Sequence, residues 1–506
     1  MKTLISRLHL RATFLLLFMI MYCGVDSVRA QDDQFITTWQ TTTANEYIFI
    51  PTGGGDEITD FNFRVDWGDG NEETVTGDDP DRSHLYIEAG TYTVRISGVF
   101  PHFQIVESYS ASEYEKENAV KLQSIDQWGD VVWESMRGAF WSAENMIYNA
   151  TDVPNLSQVT NMEGMFTGAK SFNGDLSNWD VSNVTTMRGA FSGASSFNGN
   201  ISTWDVSSVE DLGGMFNLAE SFNRDLSNWD VSSVTNMERT FYGASSFNAD
   251  LSNWDVSNVT TMANMFHSAK SFKGDLSIWD VSKVTRMEKM FFGAELFNAD
   301  LSSWSVSKVR NMERMFAGAE SFDADLSNWY ITNLLHYSGA GLEGFLEGAK
   351  LSTENYDALL IGWSGMDLTR DANFHAGNSE YTEAAEEARQ KIIDEFGWTI
   401  TDGGKTTATN TENKNDAIPE HFALEQNYPN PFNPSTTTKY AIPEVAEVRL
   451  AVYDLLGREV TALVKERQSA GVHTVSFDAS SLSSGTYIYR IEAGDFTETR
   501  KLMLIK

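Results

Sequence analysis

The chain of 506 residues contains one cysteine, Cys23. Basic residues are also scarce: 37 Lys and Arg stand against 71 Asp and Glu, a net charge of −34. Nucleic acids and anionic lipid are bound through clustered Lys and Arg, so this balance argues against both as partners. No apolar run after the first thirty residues approaches the roughly 20 residues that span a bilayer, so no transmembrane helix is expected. Catalytic constellations are missing too. His84, His102, His267, His336, His375, His421 and His473 lie far apart in sequence, with no zinc-type His pair, nucleophile elbow or glycine-rich phosphate loop. The expectation is a protein that is not an enzyme and has no cofactor. His267 stands at a variable position and is expected to be exposed.

The first thirty residues account for the cysteine. Lys2, Arg7 and Arg11 precede the apolar run Phe14 to Met21, and Val28, Arg29 and Ala30 supply a cleavage site before Gln31, the pattern of a secretory signal peptide over residues 1–30. Ile20, Met21 and Tyr22 are too bulky before Cys23 for a lipoprotein signal. Removal of the leader takes away four bases (Lys2, Arg7, Arg11, Arg29) and one acid (Asp26), moving the charge from −34 to −37. The mature chain then lacks cysteine, which excludes disulfides, thiol nucleophiles, Cys-zinc sites and iron-sulfur clusters. Its stability must come from packing.

The positive signal is a repeat. Trp179, Trp204, Trp229, Trp254, Trp279, Trp304 and Trp329 are 25 residues apart, and a fixed period of this length marks a stacked architecture in which no unit buries its face alone. Trp128, Met136 and Phe140 place a divergent first coil over Gln127 to Asp152, and Pro154 takes the Trp position of a second. Within a unit, Trp254 and Val256 alternate with Asp255 and Ser257 as in a strand, whereas Val259, Met262, Phe266 and Ala269 recur at three and four as in a helical turn. The expected fold class is an α/β solenoid, leucine-rich-repeat-like with 25-residue coils, flanked by two all-β immunoglobulin-like sandwiches. At ~4.8 Å per coil, about nine or ten coils would reach roughly 45 Å, with a continuous parallel sheet. Trp in an inward register reads as a core ladder rather than a sugar-stacking one.

Outward positions form acidic columns. Asp180, Asp205, Asp230, Asp255 and Asp280 occupy one position in successive coils, ended by Ser305 and Tyr330; a second column runs Asp175, Asn200, Asp225, Asp250, Asp275, Asp300 and Asp325. Like charges ~5 Å apart repel by about 0.8 kcal/mol in water, so the columns need turn amides, cations or a partner to offset them. Three roles stay open for the first column: turn and capping residues, ligands for calcium, and a ligand-binding face. Variable positions at Arg188, Asp211, Arg239, Lys283 and Arg310 add polar contacts. Carboxylate pairs at glycosidase spacing arise from the repeat symmetry and carry no weight.

The units, together with Ile125 to Asp130 and the tail from Tyr356 to Gly404, resemble the BspA-like leucine-rich-repeat surface proteins of bacteria over about residues 99–403. The chain departs from that pattern by four extra residues between Phe316 and Phe345, and by Ala190 and Thr240 where Met usually precedes Phe. The resemblance implies a cell-surface binding or adhesion protein with no catalytic residues. Residues 31–98 are rich in β-branched and aromatic residues, and Trp67-Gly-Asp-Gly70 with His84 to Tyr86 and Gly90 to Val94 is similar to PKD-like sandwiches. Asp66, Asp69, Asp78, Asp79 and Asp81 read there as solvated turn acids or calcium ligands. Residues 99–350 are assigned to the repeat array with its lead-in, 351–403 to its closing cap and 404–418 to a flexible linker. Residues 419–506 carry Asn427-Tyr-Pro-Asn-Pro-Phe-Asn-Pro434, Val452 to Gly457, Gly485-Thr-Tyr487 and the ending Lys501 to Lys506, and resemble the type A C-terminal sorting domain of type IX secretion. That implies type IX machinery as a partner and passage through a Gram-negative periplasm to the cell surface. The function expected is binding or adhesion to an extracellular protein, the alternative being glycan binding or a structural coat.

Overall fold

The computed structural model describes residues 33–52, 61–77, 82–105, 112–334, 341–406, 421–427, 430, 432, 434–454, 457–494 and 496–504. The leader, Asp78, Asp79, Asp81, His336 and most of the 404–418 segment lie outside the described residues. The chain divides into two compact units, residues 1–406 and 407–506.

The first unit opens with strands β1 (Phe35–Thr41), β2 (Glu46–Phe49), β3 (Asn62–Asp66), β4 (Glu72–Thr76), β5 (Ser83–Tyr86) and β6 (Gly90–Val99). Alternation in β1 sends Phe35, Thr37, Trp39 and Thr41 inward. After β3, Gly68 holds φ +79°, and a Cβ there would meet the Thr93 carbonyl oxygen at 2.5 Å, so the turn admits only glycine. Helix α1 (Glu113–Ala119) starts on a reciprocal Ser112 and Glu115 capping box. It leads to β7 (Leu122–Gln127) and β8 (Ile147–Tyr148). The sheet order is β4-β3-β6-β1-β7-β8, with β2 and β5 paired separately. The sheet therefore continues beyond residue 98, and its last pair, β7 with β8, is parallel. Parallel pairing is the relation the coils then keep.

The expected α/β solenoid is overturned. Among the described residues of the array after β8, up to Leu351, there is neither an α-helix nor a strand, and the parallel sheet is reduced to single bridges joining Asn161, Thr186, Asp211, Asn236, Thr261, Arg286 and Asn311. The described helices lie outside the coils, and regular structure elsewhere is mainly β-strand.

The reason lies in two left-handed positions per coil, four residues apart. One column is Gly164, Gly189, Gly214, Arg239, Asn264, Lys289 and Arg314; the other is Gly168, Gly193, Leu218, Gly243, Ser268, Gly293 and Gly318, all with φ between +51° and +71°. A residue at positive φ ends a right-handed helix, so the three-and-four spacing of Met262, Phe266 and Ala269 marks successive tight turns instead. The amides divide their bonds accordingly. Met265, His267 and Ala269 donate to carbonyls three residues back, at 3.0–3.2 Å. Met262, Asn264, Phe266 and Ser268 donate to Arg286, Glu288, Met290 and Phe292 of the next coil, at 2.6–3.0 Å. Alternate amides close the turn and join the coils, which satisfies the backbone without regular secondary structure.

Side chains repeat this division. Trp204, Trp229, Trp254, Trp279, Trp304 and Trp329 are buried, and each indole N–H donates to a carbonyl 28 residues earlier. Neighbouring indoles such as Trp229 and Trp254 lie parallel, with centroids 6.4 Å apart. Two Phe columns fill the remaining core: Phe266 and Phe272 stack at 4.1 Å within a coil, and Phe266 lies 5.6 Å from Phe291 of the next. An asparagine ladder runs outside, in which the amides of Asn198, Asn223 and Asn248 donate to the side-chain oxygens of Asn173, Asn198 and Asn223. Thr240, in place of Met, is fully buried because its hydroxyl donates to the Met237 and Leu212 carbonyls.

The far end is closed by α2 (Thr353–Ser364), β9 (Asn373–His375), β10 (Glu380–Tyr381), α3 (Glu383–Phe396), β11 (Thr399–Thr401) and β12 (Gly404–Lys405). Trp363 extends the indole ladder by donating to the Leu326 carbonyl. Asp402 accepts from Arg389 Nε and the Tyr356 hydroxyl, both at 2.8 Å. One hydrophobic core runs from Phe35 through the coils to Trp398. Sheet and helices thus cover the two ends, as capping units must in a stacked array.

The second unit contains β13 (Ala423–Leu424), β14 (Ser435–Ile442), β15 (Ala446–Tyr453), β16 (Glu459–Gln468), β17 (Gly471–Asp478), β18 (Gly485–Ala493) and β19 (Phe496–Leu504), in sheets ordered β13-β14-β17 and β16-β15-β18-β19. Its leading segment is pinned internally. The amide of Asn427 donates to the Tyr489 hydroxyl at 2.7 Å, and those of Phe432 and Met503 bond to the Met503 carbonyl and Asn430 Oδ1.

Trp254→Ala should lower unfolding free energy by about 3–5 kcal/mol in denaturant titration, because the indole is buried and hydrogen bonded. A loss below 1 kcal/mol would show that the ladder does not hold the coils.

Candidate binding face

Asp180, Asp205, Asp230, Asp255 and Asp280 lie exposed at the surface of successive coils. The backbone amide of the Ser two residues on donates to each at 3.0–3.2 Å. Asp175, Asp225, Asp250, Asp275, Asp300 and Asp325 accept from a Ser amide in the same way. Both columns therefore make Asx turns. The Ser182, Ser232 and Ser282 hydroxyls and amides hold Asp180, Asp230 and Asp280 below the usual carboxylate range, and the Ser227 and Ser252 amides and hydroxyls do so for Asp225 and Asp250. Among the described residues no cluster of three or more His, Cys, Asp or Glu is arranged to hold a metal. In the first sheet, Asp66 accepts from the Gly68 amide, and Asp69 accepts from the Asn71 amide and pairs with His84 Nε2 at 2.8 Å.

A different surface carries the variation. It consists of the polar-side residues on the bridged segment of each coil, most of them half-buried and Ala263 and Glu288 buried, the segment whose alternate amides join the stack. Coil by coil the first bridged position reads Asn161, Thr186, Asp211, Asn236, Thr261, Arg286 and Asn311, and the position two residues on reads Glu163, Arg188, Gly213, Glu238, Ala263, Glu288 and Glu313. Charges pair across coils: Arg137 with Glu163 at 3.3 Å, Arg188 with Asp211 at 3.9 Å, Arg286 with Glu238 at 3.4 Å and Lys289 with Glu313 at 3.4 Å. Such exposed pairs contribute ~1 kcal/mol or less each. They arrange the surface more than they stabilise it.

Two features interrupt this surface. Tyr242, His267 and Phe292 stack face to face from coil to coil, with centroids 4.3 and 4.6 Å apart. His267 is half-buried there rather than exposed as its position suggested, and its Nδ1 lies 3.0 Å from Ser268 Oγ. Burial, aided by the charges of Lys289 and Arg239, lowers its pKa to about 4. The second feature is an open cleft of about 190 Å³ whose lining includes Trp141, Arg188, Gly213, Asn217, Glu238 and Arg239. No residue of either Asp column lines it. The sequence reading noted Arg188 and Arg239 as variable positions but missed Trp141 and Gly213. The legible signal was glycine at residue 213, at a position where the other coils carry Glu, Arg or Ala.

A family described as a Mycoplasma protein of unknown function, DUF285, matches residues 134–254 and 244–341. A second, described as a secretion system C-terminal sorting domain, matches residues 426–506. No curated protein gives a significant match. The sorting-domain match implies export to the cell surface or the extracellular space. Among the described residues, no helix is long and apolar enough to cross a membrane.

The lowered His267 value sets the sign of a pH effect. Unfolded His titrates near 6.5, so the unfolded chain takes up the proton first as pH falls, and the stability contributed by neutral His267 is lost between about 6.5 and 4. The Asp contributions, fully present above their ordinary value near 3.8, fall away only below it. The melting midpoint should therefore drop from pH 7 to 4.5 in the wild type, and drop by less in His267→Phe, where His102, whose pKa burial also lowers, still contributes. Equal drops in both would place the titration elsewhere.

Proposed function

We propose that this is an exported, surface-displayed binding or adhesion protein without enzymatic activity, and that its bridged, variable face contacts an extracellular protein ligand. One observation carries the reading. The period-constant positions are spent within the molecule, in indole and Phe ladders, Asx turns and the Asn ladder, whereas the polar-side bridged positions change from coil to coil. A protein ligand suits the alternating Arg, Lys and Glu of that face, where paired charges give specificity and steering.

Export is read as passing through the periplasm of a Gram-negative bacterium, with type IX machinery recognising residues 419–506, and the first sheet as a PKD-like module that also closes the stack. The high negative charge then acts as a solubilising coat. Glycan binding is the second reading, favoured by the Trp-walled cleft.

The test is capture of matrix and cell-surface proteins by the intact chain, run beside a glycan array. Arg188→Glu with Arg286→Glu should weaken capture at least tenfold, and Asp230→Asn with Asp280→Asn should leave it unchanged. The opposite pattern would assign binding to the Asp columns.

A further inference from the structure

The cleft exists because side chains are missing. At residues 163, 188, 238, 288 and 313 the column carries Glu or Arg and at 263 Ala, and the two coils next to Gly213 supply Arg188 and Glu238. Gly189 and Gly214 flank it at φ +63° and +64°, where glycine relieves strain. Gly213 has no such reason, since it is absent from the residues with positive φ. A Cβ at Gly213 would approach only side-chain ends, Asn236 Nδ2 at 2.8 Å and Asp211 Oδ1 at 2.9 Å. No backbone atom blocks a larger residue at 213, but these two side chains must shift to admit one; glycine leaves open space between the cleft walls.

Those walls have a definite chemistry. On one side the six-membered ring of Trp141 lies over Gly164, its Cζ3 2.6 Å from where a Cβ would stand. Arg188, Asn217, Glu238 and Arg239 bring guanidinium, amide and carboxylate groups to the same space. The charges are compensated, Arg188 by Asp211 at 3.9 Å and Glu238 by Arg286 at 3.4 Å. The carboxamide of Asn236 is already held, its Nδ2 donating to Asp211 Oδ1 at 2.8 Å and its Oδ1 accepting from the Glu238 amide at 2.9 Å. The cleft's size is well under the ~300–1,000 Å³ of drug-sized sites, so it suits a single ring. A flat base would require a second apolar wall, and the lining carries no aromatic or aliphatic side chain besides Trp141. An ionic ligand would have to break a compensated pair.

We infer that the cleft binds one neutral pyranose unit of an extracellular glycan, with a C–H face of the sugar on Trp141 and its hydroxyls on Arg188, Asn217 and Glu238. Planar guanidinium, amide and carboxylate groups offer the closely spaced donors and acceptors that adjacent sugar hydroxyls match. The inference rests on reading this face as the binding surface, and adds the ligand class at one place on it.

The experiment is saturation-transfer NMR on the full chain with methyl glycosides of glucose, galactose, mannose, N-acetylglucosamine and glucuronic acid. Transfer to at least one neutral glycoside is expected, with a dissociation constant on the order of millimolar, as for a single-ring contact. Gly213→Glu, which restores the column's commonest residue, should abolish the transfer, and Arg188→Gln should weaken it about tenfold, with melting midpoints showing that both variants fold. Absence of transfer, transfer to the glucuronide alone, or transfer that survives both substitutions would overturn the inference. Protein capture that is weakened at least tenfold by Arg188→Glu with Arg286→Glu while no glycoside binds would overturn the sugar assignment and leave the face reading standing. Absence of both that weakening and glycoside binding would overturn the two together.

Discussion

The hydrogen bond from one coil's amide to the next coil's carbonyl is the constraint on which the array depends. Each bridged segment carries two residues at positive φ, four apart, and between them the amides alternate between closing a tight turn and reaching the neighbouring coil. This arrangement fixes which residues align from coil to coil, and it survives the four extra residues before Phe345, where Met312 and Phe316 still donate to Gly341 and Phe345. It also fixes the core. Once coil positions are locked, Trp, Phe, Met and Ala recur at the same depth, and each indole N–H finds a carbonyl 28 residues back. Positions such as Arg239, Lys289 and Leu218 sit at positive φ without being glycine, a local cost of about 1–2 kcal/mol each that the ladders on either side offset.

Legibility in the sequence followed the period. The 25-residue spacing, the inward Trp and the two acidic columns were readable because identical residues at identical positions require identical environments. Secondary structure was not. Met262, Phe266 and Ala269 have helical spacing, and Trp254 with Val256 has strand spacing, yet neither segment forms a helix or a strand. The sequence cue to this was Gly or Ser at the second left-handed position; Arg239, Asn264 and Lys289 at the first hid the other cue. His267 shows the same limit. Its position varies, which suggested exposure, but stacking between Tyr242 and Phe292 requires knowing that those residues meet across coils.

The separation of constant from variable positions gives the molecule its functional logic. Asp180 and its column mates engage Ser amides, and so are tied to turn geometry. The bridged face is freer, because its backbone makes the inter-coil bonds and its side chains need only be compatible with their neighbours. A cleft forms where one coil supplies glycine in place of Glu, walled by Trp141 from the first coil. The bridged face can therefore be altered one coil at a time without disturbing the core, while the sheet before the stack and the helices after it keep both ends closed.

The most direct test of this account is thermal unfolding, by near-ultraviolet circular dichroism, of the chain lacking residues 265–289. That deletion joins Asn264 to Met290, which occupies the repeat position of Met265. If each coil bonds only to its neighbours, the shortened protein will show native aromatic signal and a single cooperative melt, with a midpoint within about 10 °C of the parent. Loss of the aromatic signal or of the cooperative transition would contradict the claim that the coils are interchangeable units joined by alternate amides.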